Sequence, residues 1–294
     1  MEARTPFKKI LVPLDGSELA EQILPYVRYL AEACALSIEF LRVNDLESMT
    51  PYAPPLQGEQ YLRRVLKEYF ASTARTRTSV ELGRPAEVIV DYAKVDPSCW
   101  IAMATHGMSG IRRWALGSVV SKVALSTVNP LLIVRPTDRL DRGAAIEFKT
   151  IFVPLDGSGL AERVLPHVVA LATRLKVEVQ LMRVYTLPPE AYFPGDGVMG
   201  QSAAPFKEKL QSEAETYLNA KVQELRAEGL ESVSTTAIQG DAASEIIDVA
   251  CKTDNPLIAM STHGRSGVGR WMLGSVAEKV IQHSRVPVLL IRPA

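Results

Sequence analysis

Short apolar runs alternate along this chain with stretches whose apolar residues recur every three or four positions. Residues 10–14 (ILVPL) have the length and content of a buried strand, and Leu19, Ile23, Val27 and Leu30 then follow at helical spacing. Further strand-type runs lie at 36–43, 80–82, 100–104 and 131–134, with helical patterning over 86–94 and a helix opening at Gly117-Ser118. The second half repeats the order, with strand runs at 151–155, 177–184, 233–238, 257–260 and 288–291. Strands that alternate with amphipathic helices predict parallel sheets covered on both faces, joined by right-handed crossovers. Pro25 and Pro166 fall inside the first helical stretch of each half and predict a shared bend.

The two halves also repeat each other in detail. KKILVPLDGSELAEQILPYVRYLA from Lys8 returns as KTIFVPLDGSGLAERVLPHVVALA from Lys149. MATHGMSGIRRWALGSV from Met103 returns as MSTHGRSGVGRWMLGSV from Met260. A duplication of this kind predicts two domains of one architecture. The expected division is 1–136 for the first domain, 137–147 for a polar linker and 148–294 for the second. The halves differ mainly between the second strand and the following helix. There the second half carries a longer loop and a longer helix, read as 206–228.

Composition adds limits. The chain of 294 residues holds 33 basic and 33 acidic residues, and this balance argues against a general nucleic-acid binder. Cys34, Cys99 and Cys251 have no metal-ligand spacing and read as small core residues. No apolar run approaches the length of a membrane span, and the N-terminal segment has no apolar signal core. A soluble cytoplasmic protein without membrane association is the expectation.

Two loops could carry chemistry. The first is Asp15-Gly16-Ser17 after the first strand, repeated as Asp156-Gly157-Ser158. It stands on the edge where open α/β sheets bind ligands, but Asp15 and Gly16 could equally serve the cap and the turn. The second runs from Ala104-Thr105-His106-Gly107 across nine residues to Gly117-Ser118, and from Ser261-Thr262-His263-Gly264 to Gly274-Ser275. Glycines let backbone N–H groups approach an anion, and a helix opening at Gly-Ser offers unpaired donors and a favourable dipole. His106 and His263 either brace this loop or donate to phosphate. With the first strand central, both loops flank the switch point of the sheet. Trp114, Trp271, Arg112, Arg113 and Arg270 read as packing or solvated residues. The chain has no P-loop, no nucleophile elbow, no zinc helix and no kinase signature set.

With these motifs the whole chain resembles a tandem universal stress protein. VPLDGS, the strand ends LRV and MRV, THGxSG and RWxLGSV carry the resemblance. It implies two doubly wound, five-stranded parallel-sheet domains of strand order 3-2-1-4-5, paired about a pseudo-twofold axis. The pairing would run through the last strands, over residues 130–135 and 287–292, from Pro130 to Arg135 against Pro287 to Arg292. Association of whole chains into a homodimer stays open.

ATP-binding members of that family show Gly-x2-Gly-x9-Gly-Ser/Thr. This chain matches the second glycine and the Gly-Ser ending, and departs at the first, where Ala104 and Ser261 stand. The resemblance implies an adenine nucleotide (ATP, ADP or AMP) in each half, with any Mg²⁺ arriving on the phosphates. Pro13, Asp15 and Val43 would serve the adenosine side of the first site; Ala104, His106, Gly107, Gly117, Ser118 and Val119 would form its phosphate side. Pro154, Asp156 and Val184 would serve the second, with Ser261, His263, Gly264, Gly274, Ser275 and Val276. Arg265 would add a cation to the second site that Met108 does not supply to the first. Three functions compete: a nucleotide-binding stress regulator without catalytic residues, a scaffold that binds no nucleotide, and a slow ATPase.

Overall fold

The computed structural model describes residues 7–45, 56–71, 75–106, 116–136, 146–188, 204–263 and 273–292. The first half contributes strands β1 (Lys9–Pro13), β2 (Ser37–Asp45), β3 (Thr76–Gly83), β4 (Cys99–Ala104) and β5 (Leu131–Val134). The second contributes β6 (Thr150–Pro154), β7 (Glu178–Tyr185), β8 (Val233–Gln239), β9 (Pro256–Ser261) and β10 (Val288–Ile291). Pairing is parallel within each half, and the first half has the order β3-β2-β1-β4-β5. The second half mirrors it as β8-β7-β6-β9-β10. β3 is longer than its apolar run because it lies at the sheet edge, where Arg77, Thr78 and Glu81 are exposed and blur the alternation.

Ten helices cover the sheet among the described residues. They are α1 (Glu18–Glu21), α2 (Leu24–Cys34), α3 (Leu56–Tyr69), α4 (Pro85–Lys94) and α5 (Ser118–Ser126), then α6 (Gly159–Glu162), α7 (Leu165–Leu175), α8 (Ala204–Ala227), α9 (Ala242–Lys252) and α10 (Ser275–His283). The bend expected at Pro25 and Pro166 is a break instead. α1 and α6 each end after four residues, and the prolines stand in the first turn of α2 and α7. A proline fits there because first-turn N–H groups have no helical partner to lose. Cys34 and Cys99 are buried, and burial pushes both thiols up to about 11. Cys251 is exposed on α9, contrary to the core reading, because it falls on the polar face of that amphipathic helix.

One antiparallel pairing joins the halves. β5 meets β10 in the register Val288 with Ile133, Leu289 with Leu132, and Leu290 with Leu131. Every residue of these two strands is buried. A strand of four residues has little stability at an edge; here each closes the other's edge and makes one sheet of ten strands. The apolar core continues across the seam on both faces. Ile10, Phe40 and Leu132 share one layer with Ile151, Leu181 and Leu289, while Leu11, Ile101 and Ile133 share the other with Phe152, Ile258 and Leu290.

Aromatic contacts reinforce the pairing in a reciprocal way. Phe7 stacks on His167 of α7 at 5.6 Å, and Phe148 lies 6.1 Å from Tyr26 of α2. The four residues occupy matching positions of the repeat. His167 is held below its ordinary value by burial, so it is kept neutral at this contact.

On the neighbouring β2, Glu39 is buried beside Lys9 of β1 and accepts from Ser79 Oγ at 3.1 Å and from the Tyr92 hydroxyl. Burial alone would raise its carboxyl, but the hydrogen bonds from Lys9, Tyr92 and Ser79 outweigh that effect and lower it. A carboxyl lowered by folding stabilises the fold above its unfolded value and ceases to do so as pH falls through its folded one. Glu39→Gln should therefore reduce stability at neutral pH by about 1 kcal/mol. The deficit should shrink as urea unfolding is repeated at pH values falling below 4.5, the ordinary carboxylate value. An unchanged deficit down to the folded value would contradict this assignment.

Candidate functional site

The β1–α1 turn is built by three neighbouring residues. Gly16 takes φ +88°, a left-handed conformation that a side chain would strain. Asp15 Oδ1 accepts from the Ser17 amide at 2.9 Å and from Ser17 Oγ at 2.6 Å, and Ser17 Oγ accepts from the Ala20 amide at 3.1 Å. The second half repeats this, with Gly157 at φ +85° and Asp156 Oδ1 accepting from the Ser158 amide at 2.8 Å. The capping reading of this loop is thus correct, and the cap also fixes the carboxylate at the strand's C-terminal end.

Across the switch point, the N-terminus of α5 is pulled against the end of β4. The Gly117 amide donates to Thr105 O at 2.9 Å, and the Gly274 amide donates to Thr262 O at 2.8 Å. A Cβ on Gly117 would stand 2.7 Å from that same oxygen, and one on Gly274 would stand 2.8 Å from its counterpart. These glycines are required by a backbone contact, beyond any ligand they serve. Neither supplies a side-chain cap, in contrast to Ser17, Ser158 and Asp241 at other helices. The first-turn N–H groups of α5 and α10 therefore keep their capacity for an external acceptor.

Between the two loops lies a cavity, formed once in each half. The first measures about 470 Å³, within the range of small-molecule sites, and the second about 260 Å³, a little below it. Pro13, Asp15, Val43, Ala104, His106, Gly117, Ser118 and Val119 all line the first. Pro154, Asp156, Val184, Ser261, His263, Gly274, Ser275 and Val276 line the second. Gly107, Gly264 and Arg265 lie outside the described residues, as do Met108, Trp114, Trp271, Arg112, Arg113 and Arg270.

The histidines are set alike in both halves. His106 Nδ1 is 2.9 Å from Thr105 Oγ1, and His263 Nδ1 is 2.9 Å from Thr262 Oγ1. Both histidines are cavity residues, and the Nε2 of each is buried without a hydrogen-bond partner among the described residues. When Nδ1 accepts the threonine proton, Nε2 carries N–H and is a donor for a ligand acceptor. Ser261, which stands where the family pattern has its first glycine, donates its hydroxyl to Leu160 O at 2.8 Å and to Ile291 O at 3.3 Å. That substitution consequently leaves no unsatisfied hydroxyl in the wall.

Several lining residues escaped the sequence reading. Leu41, Ile89 and Met103 give the first cavity an apolar flank, and Met182, Ile246 and Met260 give it to the second. Their only signal was core-like patterning, which does not distinguish a core from a pocket wall. The cavities also differ. Arg42 and Asp45 line the first, and Arg42 Nη1 reaches Leu14 O at 3.4 Å. The matching Arg183 lies 4.7 Å over the ring of Tyr217 on α8 and is absent from the second cavity's wall.

The family model described as the universal stress protein family matches residues 6–135 and again 147–292. The chain belongs to the universal stress protein family, as a tandem of two such domains. A universal stress protein of Methanocaldococcus jannaschii is 32% identical over 145 residues, covering 49% of this chain and 82% of that protein. One of Thermus aquaticus is 31% identical over 145 residues, covering 49% of this chain and 99% of its own. The crystal structure of a universal stress protein from Archaeoglobus fulgidus superposes with a TM-score of 0.74 at 21% identity, covering 99% of this chain and 100% of that one. That likeness supports the tandem fold.

Gly117→Ala and Gly274→Ala should each push a helix N-terminus off its strand end. Overpacking of this kind costs about 1–3 kcal/mol. Thermal unfolding should show the loss, and small-molecule binding should weaken in the altered half. Full stability in both variants would mean that the close Gly–Thr approach is not a constraint.

Proposed function

We propose that this universal stress protein binds an adenine nucleotide in each half and acts as a regulator whose state follows occupancy. The observation that carries the reading is the twofold construction of one cavity. A braced carboxylate, an apolar flank, a histidine nitrogen without a partner among the described residues and a helix N-terminus without a side-chain cap recur on the same repeat positions.

The apolar flank suits a base, and the carboxylates of Asp15 and Asp156 suit amino or hydroxyl donors of an adenosine. Val43 and Val184 stand at the cavity, near the C-terminal ends of β2 and β7. The amides of Ser118, Val119, Ser275 and Val276 would receive phosphate, assisted by the helix dipoles. His106 and His263 Nε2 would donate to the same oxygens. Gly107 and Gly264 would let the connecting loops approach the phosphates, and Arg265 would add a cation to the second site. Any Mg²⁺ would be held by the phosphates.

Nothing in this constellation needs to turn ATP over. No helix among the described residues is long and apolar enough to cross a membrane. A cytoplasmic location is part of the proposal. A ligand that prefers one arrangement of the cavity loops shifts the population toward it, which a protein partner can then read.

Calorimetric titration of nucleotide-stripped protein with MgATP should show two sites per chain. Asp15→Ala and Asp156→Ala should each weaken one of them by about tenfold, the loss of a charged hydrogen bond. Phosphate release over the same period should stay at background. Absence of heat with ATP, ADP and AMP would favour the scaffold reading, and steady phosphate release abolished by either variant would favour the ATPase.

A further inference from the structure

We infer that Arg135 and Arg292 are positioning residues that couple the two cavities, so that a ligand in one half orders the binding helix of the other. Arg135 follows β5 in the first half, and its Nη1 donates across the seam to Gln282 O of α10 at 2.6 Å. Arg292 follows β10 in the second half and donates back to Leu125 O of α5. The arginines match in the repeat, and so do the carbonyls that they hold.

Both carbonyls lie in the last turn of a helix, where backbone oxygens have no helical donor and a cation is favoured by the dipole. The helices are α5 and α10, whose opposite ends line the two cavities. Each ligand-facing helix is thus held at its far end by the other half.

The links continue inside each half. Val134, next to Arg135, accepts from the Thr105 amide at 2.8 Å, and Thr105 O accepts from Gly117. Ile291, next to Arg292, accepts from the Thr262 amide at 2.9 Å, and Thr262 O accepts from Gly274. Thr105 and Thr262 are cavity residues. The hydrogen bonds therefore close a ring. It runs from the first cavity through Val134 and Arg135 to α10 and the second cavity, then through Ile291 and Arg292 to α5 and back.

An anion at the N-terminus of α5 and a cation at its C-terminus stabilise the same helix. Filling the first cavity fixes Thr105 and α5, and with them both arginine contacts. The second cavity then has less left to order, and its ligand binds more tightly. The coupling is reciprocal.

The ligand part of this inference rests on the nucleotide reading, so the test has an arm with ligand and one without. Hydrogen exchange would be followed in the full chain at amides 121–127, over α5 and its C-cap, and 278–284, over α10 and its C-cap. Without ligand, Arg135→Met should speed exchange in α10 by about tenfold, the weight of a charged hydrogen bond, and leave α5 unchanged. Arg292→Met should do the reverse. Arg135→Lys, which can still reach a carbonyl, should restore most of the protection and covers the case in which the methionine variant does not fold. Equal acceleration in both helices, or none, overturns the coupling whether or not nucleotide binds.

With ligand, MgATP is added to Asp156→Ala at a concentration between the affinities of the intact and the weakened site, so that the first cavity fills and the second stays mostly empty. Protection should rise in α5 and also in α10, and the α10 gain should vanish when Arg135→Met is added. A gain confined to α5 overturns the coupling while leaving the nucleotide reading intact. No gain in either helix contradicts the nucleotide reading, and the ligand-free arm still decides the coupling.

Discussion

The pairing of β5 with β10 is the interaction on which the rest of this molecule depends. Two strands of four residues, apolar throughout, have no stable existence at an open edge. Joined antiparallel, they turn two five-stranded sheets into one and extend the core across both faces. Burying a leucine fully contributes about 1.5–3 kcal/mol, and Leu132 and Leu289 face each other in the centre of the seam. The same antiparallel arrangement brings the end of each last strand beside the C-terminal turn of the other half's helix. The crossed arginine contacts and the reciprocal Phe7–His167 and Phe148–Tyr26 pairs follow from that placement.

The cavities are a second consequence of topology. In each half the chain changes direction between β1 and β4, or between β6 and β9, and leaves a crevice at the strand ends. What makes the crevice specific is local chemistry. A left-handed glycine turns the chain so that an aspartate can be braced by the next serine. A second glycine allows a helix to start directly against a strand carbonyl. Both halves hold these two contacts, while the surrounding elements differ in cavity size and in the placement of Arg42 and Arg183.

Much of this was legible in the sequence. The strands and the two domains follow from the repeat, because a parallel sheet writes continuous apolar runs; the motifs carry the family resemblance, and the strand order comes with that resemblance and not from the runs themselves. Sixteen of the proposed site residues lie together at the two cavities, while Gly107, Gly264 and Arg265 fall outside the described residues. The misreadings have physical causes. Apolar spacing carries on across the short break before α2 and α7, so it puts Pro25 and Pro166 inside one helix. Residue type alone points Cys251 to the core, and its position on α9 exposes it. Thr105 and Thr262 were passed over because a threonine beside a histidine gives no periodic signal, and the role of each appears only as a hydrogen bond to Nδ1. The crossed arginines were hidden because their partners lie far along the chain.

A crystal structure of the chain grown with MgATP tests the central claim most directly. The account predicts nucleotide in both cavities, with phosphates on the N-terminal amides of α5 and α10 and the base between the apolar flank and Asp15 or Asp156. Nucleotide bound elsewhere, or two empty cavities in crystals grown at saturating MgATP, would contradict it.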